Sequence, residues 1–263
     1  LSRDNSLFEI FLYVLATIAL LFISLPLSNL ILRSLSLDIL TNILTSDFYN
    51  AIRVSLIASL ITLTINILWG IPVAYLLARK EFPGKGVVQA LIFFPIVIPP
   101  IVSGILLLMI FGPRTIIGGV LASHGLRFTG TIWGTILAQT FITAPYLIIT
   151  TKVAFEKVDK KLEDVSLLLG KSQGQTFWQV TLPLAKKGII AGILLTWIRA
   201  IGEFGATIIL AYHPYSLPIK IWVQFTSGGL ETALPLVIGL ILVVILILII
   251  LRLVIGELRL KTF

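Results

Sequence analysis

Long runs of apolar residues alternate with short charged stretches along this chain. Residues 10–32, 54–78, 86–113, 130–151 and 232–251 carry no charged side chain, and 188–212 carries two. About 20 helical residues at 1.5 Å each cross the ~30 Å hydrocarbon layer of a bilayer. The pattern therefore predicts an all-α, polytopic membrane protein that forms one domain over 1–263. Six transmembrane helices are expected, at about 8–33, 51–78, 87–112, 130–153, 184–212 and 232–256. Residues 34–52 mix polar and apolar positions and read as a stretch lying along the outer surface. The first apolar run is too long for a cleavable signal and lacks a small-residue cleavage site.

Punctuation inside the runs adds detail. The third run holds Pro95, Pro99 and Pro100, which predict a helix broken at Ile98-Pro99-Pro100, because proline frees backbone carbonyls that neighbours or water must satisfy. Such a segment, with Ser103 one turn on, reads either as a gate or as a plain kink. Gly188 and Gly192 have the spacing of a close helix contact, inside the subunit or between two copies. Arg199 and Glu203 stand four residues apart in the fifth run and can pair. Either charge alone is expensive in lipid, so both are expected to face protein or a water-filled path. A mutual pair is close to neutral, which argues against a strong fixed anion site.

The longest polar interruption, 156–183, reads as helix, glycine turn, helix, proline start. Asp159 is placed as a helix cap, with Glu163 and Asp164 near the positive N-terminal end. Leu162, Val165, Leu168 and Leu169 share one face. Gly170 suits a left-handed closing residue, followed by Lys171. Ser172 and Gln175 have capping-box spacing, Phe177 and Trp178 give the second helix an apolar side, and Pro183 after Leu182 suits a first turn. Gly170-Lys171-Ser172 imitates the tail of a phosphate-binding loop, but Val165 stands where its first glycine must be, and no strand precedes it.

Composition narrows the class. Only 12% of residues are charged, against about 25% in a soluble domain, and the mean hydropathy is +1.07. There is no cysteine, and the two histidines, His124 and His213, lie far apart, so neither a thiolate site nor a two-histidine metal site is expected. The net charge of +8 reads as a topology signal rather than a nucleic-acid one. With 156–183 on the cytoplasmic side, fourteen Lys and Arg fall inside, Arg3, Arg252, Arg259 and Lys261 among them. Arg33, Arg53, Arg114, Arg127 and Lys220 fall outside. That asymmetry predicts a multi-pass protein of the cell membrane with both termini cytoplasmic.

The 156–183 stretch resembles the signature of ABC importer permeases: E-A-A, three residues, glycine, nine residues, isoleucine, one residue, Leu-Pro. Gly170, Val180, Leu182 and Pro183 stand at those spacings, with Asp164, Val165 and Ser166 at the E-A-A positions. The acid is shortened and both alanines are replaced. The run Arg199-Ala-Ile-Gly-Glu-Phe-Gly-Ala-Thr207, with Phe204 at its centre, resembles the fifth-helix segment of oxyanion permeases. Its Gly202–Ile208 wording and Ala211-Tyr-His-Pro214 are closer to the molybdate/tungstate branch. Gly70-Ile-Pro-Val-Ala-Tyr-Leu-Leu-Ala-Arg79 and Phe82-Pro-Gly-Lys85 are similar to segments of the same permeases.

The resemblance implies the membrane subunit of an ATP-driven molybdate/tungstate importer. It implies a second copy of the chain, two ABC ATPase subunits carrying ATP and magnesium, an extracytoplasmic oxyanion-binding protein and surrounding lipid, but no nucleic acid. No catalytic residue or cofactor is expected in this chain. Glu163, Asp164, Val165, Ser166, Leu168, Gly170, Lys171, Ser172, Gln175, Phe177, Leu182 and Pro183 are then expected to meet the ATPase. Pro99, Pro100, Ser103, Arg199, Glu203 and Phe204 are expected along the path or gate. A sulfate or thiosulfate permease is the alternative within the class. A secondary transporter would need more buried acids than Glu203, and an intramembrane enzyme would need a nucleophile–base set that the runs lack.

Overall fold

A computed structural model describes residues 2–34 and 45–260, with side chains over 8–33 and 45–250. Expectations for the side chains of Arg3, Arg252, Arg259 and Lys261, and for residues 35–44 of the outer surface stretch, lie outside the described residues. The described chain is built of helices: α1 (Ser2–Ser34), α2 (Ser46–Arg79), α3 (Lys85–Val97), α4 (Pro100–Phe111), α5 (Ile116–Ser123) and α6 (Ile132–Glu156). A nine-residue α7 (Lys160–Leu168) follows. Then α8 (Gln173–Thr176), a π-helical turn (Phe177–Thr181) and α9 (Leu182–Ile201) succeed one another, before α10 (Gly205–Leu210) and α11 (Leu217–Leu260), which kinks at Gly229.

Among the described residues, four helical stretches are long and apolar enough to cross a membrane: Phe8–Arg33, Ser46–Arg79, Ile132–Glu156 and Leu217–Ile250. Two of the six expected spans are interrupted, the third at the break its prolines predict and the fifth at one the sequence did not signal. The 87–112 run is the pair α3–α4, bent by 115°. Ile98 and Pro99 are extended there, with ψ of 144° and 137°, because a residue that precedes proline is pushed out of the helical region. The 184–212 run breaks after Ile201, where Gly202, Glu203 and Phe204 leave the helix before α10 begins.

The core of the bundle is α2 packed on α6, with α9 packed against both; the Trp197 indole N–H of α9 donates to Ser59 Oγ of α2 at 3.1 Å. In a bilayer no hydrophobic drive pulls helices together, so small residues and polar contacts do that work. The buried positions of α2 are Ala51, Ser55, Ala58, Ser59, Thr62, Asn66, Gly70, Ala74 and Leu77, a stripe of mostly small residues about one turn apart. Across it, the Thr62 hydroxyl reaches Gln139 Oε1 at 3.2 Å, and Asn66 Nδ2 donates to Thr143 Oγ1 at 2.9 Å. Each such bond contributes about 0.6 kcal/mol. On α9, a β-carbon at Gly188 would collide with Ala154 Cβ, and one at Gly192 would lie 3.2 Å from Thr150 Cβ. The glycine pair therefore serves a contact inside the subunit. By contrast, α1 is exposed over nearly all of its described side chains.

The bend between α3 and α4 lets α4 lie against α10. A β-carbon on Gly104 would stand 2.8 Å from the Ala206 carbonyl oxygen. Leu107, Ala138, Ile142, Ala206 and Leu210 close a core between α4, α6 and α10.

Candidate functional site

The hairpin at 156–183 forms as its local chemistry dictates. Asp159 Oδ1 accepts the Lys161 N–H at 3.0 Å and starts α7. Gly170 closes it with φ of +85°. The Gly170 N–H reaches Leu167 O at 3.0 Å and the Lys171 N–H reaches Ser166 O at 3.2 Å, the two bonds of a Schellman ending. Ser172 and Gln175 make a reciprocal capping box. Pro183 stands in the first turn of α9, as expected, but no loop separates that helix from the one before it. Helix runs through from Gln173, and the chain widens into a π turn at Phe177–Thr181, where the Leu182 N–H bonds to Phe177 O. Pro183 has no N–H to donate, and its ring crowds the carbonyl four residues back; the wide turn just before it relieves both.

The predicted apolar face of α7 points out of the protein. Leu168 is 86% exposed and Leu169 is 77% exposed, with Leu162, Val165, Trp178 and Leu184 also open. Leu162, Val165, Leu169, Val180, Pro183 and Leu184 line a groove of about 440 Å³, with Lys171 and Gln179 at its polar edge. Asp164, Gly170, Ser172 and Gln175 are exposed on the same hairpin. Four of the residues grouped with them on sequence are turned inward. Phe177 and Leu182 pack on the core around Phe155, with the Phe177 ring 4.8 Å from that of Tyr75. Ser166 meets Thr176 Oγ1 at 2.9 Å. Glu163 is 7% exposed.

Glu163 is buried because it is occupied. Arg79, the last residue of α2, donates from Nε at 3.0 Å and from Nη2 at 2.8 Å to Glu163 Oε1. The same Nη2 donates to Val158 O at 2.9 Å. The Thr181 hydroxyl donates to Glu163 Oε1 at 2.8 Å. Arg79 appeared on sequence only within a similar segment, and Thr181 was not singled out. The partners stand 84 and 18 positions from Glu163, beyond any local spacing rule.

The second constellation lies at the broken end of α9. Arg199 Nη1 pairs with Glu203 Oε2 at 2.6 Å, as the spacing predicted, with Glu203 1% exposed and Arg199 28%. The other oxygen, Oε1, accepts the Ala206 N–H at 2.8 Å. One carboxylate thus neutralises Arg199 and caps α10. The Phe204 ring lies 5.7 Å from Trp222, and Trp222 lies 6.3 Å from Phe225; neither Trp222 nor Phe225 was singled out on sequence. Pro100 packs on Gly205 beside Phe204, and Ser103 is fully buried on α4. The bent pair and the broken helix therefore meet, while Pro99 is exposed. On the loop after α10, the Tyr212 hydroxyl, hydrogen-bonded to Tyr215, raises the Tyr215 pKa. Among the described residues no group of three or more His, Asp or Glu is placed to hold a metal ion.

The family profile of the binding-protein-dependent transport system inner membrane component matches residues 70–259. A probable molybdenum ABC transporter permease protein of Haloferax volcanii is 41% identical over 87% of this chain and 83% of its own length. A molybdate/tungstate transport system permease protein of Thermococcus kodakarensis is 35% identical over 97% and 98%. Among solved structures, a bacterial ABC transporter that imports alginate matches with a TM-score of 0.74 at 19% identity, over 99% of this chain and 96% of that one. The inward-facing MetNI methionine transporter matches at 0.64 and 18%, over 79% and 94%. At such identities the structural likeness speaks for the fold.

Proposed function

The chain belongs to the binding-protein-dependent transport system inner membrane component family, and from that premise we propose that it is the transmembrane subunit of an ATP-driven importer for molybdate or tungstate. The substrate rests on the relatives, which are named for molybdenum, molybdate or tungstate across archaea and bacteria. The division of labour rests on one observation of the hairpin. At the family's spacing, α7 and the π turn present Leu162, Leu168, Leu169 and Trp178 outward beside a groove. Exposed leucines rimmed by Lys171, Gln179 and Asp164 are the pattern of a docking surface.

In this reading the occupant is a cytoplasmic ABC ATPase, two copies of which serve two copies of this chain. ATP hydrolysis belongs to those subunits, and the chain itself does mechanical work. An extracytoplasmic oxyanion-binding protein delivers the cargo. Movement of the hairpin shifts α9, and with it the Arg199–Glu203 end that α4 leans on. Both termini lie in the cytoplasm, as the Lys and Arg asymmetry predicts.

The test is reconstitution of the chain with its ATPase and binding protein in liposomes, with tungstate, molybdate and sulfate offered separately. ATP-dependent uptake of tungstate or molybdate in preference to sulfate is expected. Uptake without the ATPase, or uptake abolished by an uncoupler at constant ATP, would overturn the reading.

A further inference from the structure

Helix α7 is attached to the rest of the protein in an unusual way. Its buried side chains are Glu163 and Ser166, both polar, while Leu162, Leu167 and Leu168 are exposed. Ser166 bonds to Thr176, inside the same hairpin. Among the described hydrogen bonds and ion pairs, the polar tie from α7 to the membrane-spanning helices is therefore carried by one carboxylate.

That carboxylate joins four elements. Arg79 brings in the end of α2, and the Arg79 bond to Val158 O brings in the connection that follows α6. Thr181 brings in the π turn that opens into α9. Beyond these contacts the helices are already locked to one another, α2 to α6 through Thr62–Gln139 and Asn66–Thr143, and α9 to α6 through Gly188 and Gly192. A push on the exposed leucines of α7 meets no fully buried apolar side chain on that helix, since its two buried side chains are polar. It passes through Glu163 to three helices at once. A hydrogen-bonded joint suits that task, since its bonds are directional and can exchange partners, whereas close packing holds a single arrangement. A π turn lies at the same point, and such turns concentrate at functional sites.

We propose that the Arg79–Glu163–Thr181 cluster is the joint that transmits hairpin movement to the bundle, with Arg79, Glu163 and Thr181 acting as positioning residues rather than as contacts to the ATPase. The proposal rests on the functional reading above. It assigns Glu163 a role different from that of Leu168 and Leu169: those residues bind the partner, and Glu163 passes the movement on.

The experiment measures tungstate uptake and ATP hydrolysis together, in liposomes holding the whole transporter and its binding protein. Glu163→Gln keeps the size of the side chain and removes the charge that Arg79 grips. The complex is expected to assemble and to hydrolyse ATP within about two-fold of normal, while uptake per ATP falls about ten-fold, the scale of a typical coupling free energy. Thr181→Val, which leaves the ion pair intact, is expected to lower the same ratio about five-fold, with Thr181→Ser restoring it. Should Glu163→Gln fail to assemble, Thr181→Val decides alone. An unchanged ratio, or uptake and hydrolysis falling in step, would make the cluster a brace and overturn the proposal. Absence of ATP-linked uptake in the unaltered complex would overturn the functional reading, and this one with it.

Discussion

Gly205 lies directly against Pro100, so that a β-carbon added to the glycine would stand 2.7 Å from Pro100 Cβ and 3.2 Å from the Ile101 nitrogen. The contact fastens the first residue of α10 to the first residue of α4, and so joins the two interrupted segments of the fold. Gly205→Ala should force α10 away from α4. Overpacking of this kind costs about 1–3 kcal/mol, seen as a lower unfolding temperature of the purified subunit in detergent. Uptake should fall further than stability, because Phe204 and Glu203 shift with α10. An unfolding temperature equal to that of the unaltered protein would show that the two segments are free to slide.

Gly170 separates backbone strain from crowding. Its φ of +85° is a left-handed value, and nothing lies within 4 Å of where a β-carbon would stand. Gly170→Ala should therefore cost about 1–2 kcal/mol through conformation alone, and Gly170→Asn less, since asparagine tolerates that region. Limited proteolysis of the hairpin reads the difference. Gly170→Trp should do more in the assembled transporter than in the isolated subunit, through a clash with the ATPase. Normal coupled uptake by Gly170→Trp would count against the docking assignment.

Leu168 and Leu169 give the complementary case. Each is largely exposed, so Leu168→Ser and Leu169→Ser should leave the subunit's own stability within about 0.5 kcal/mol. Binding of the ATPase should weaken by about 2 kcal/mol for the pair, if they act as central apolar anchors. Co-purification at falling ATPase concentration measures this. Stability lost without loss of association would place the pair in the fold instead.

Which features could be read from the chain follows from the range of the interaction behind each. Asp159, Gly170 and the Ser172–Gln175 box are local devices, complete within six residues, and each stands where its spacing puts it. The Ile98-Pro99-Pro100 break is likewise a short-range steric consequence. Two kinds of feature were hidden. The stripe of Ser55, Ser59, Thr62 and Asn66 inside α2 is masked by the high mean hydropathy of its neighbours, and its meaning depends on Gln139 and Thr143 across the interface. The direction of Glu163 depends on Arg79, far away in the chain. The break after Ile201 lay between these cases. The Arg199–Glu203 spacing suggested a continuous turn of helix, yet the pair forms with Glu203 already outside it.

That last arrangement makes the two oxygens of Glu203 separable. Oε2 holds Arg199 and Oε1 holds the Ala206 N–H. Glu203→Ala removes both, leaving Arg199 uncompensated in an apolar bundle and the start of α10 uncapped. Loss of one partner of a buried ion pair costs about 3–5 kcal/mol, and loss of the cap about 1 kcal/mol more. Glu203→Gln keeps an oxygen for the Ala206 N–H and should be milder, by roughly the cost of that cap, in the thermal unfolding of the subunit in detergent. On the reading that places Arg199 along the path, its effect on transport should run the other way, since the guanidinium would meet a passing dianion without its counter-charge. Uptake by Glu203→Gln should saturate at lower tungstate and turn over more slowly. If Glu203→Gln and Glu203→Ala instead lose stability equally and leave the tungstate dependence unchanged, Arg199 faces the bundle alone and does not touch the path.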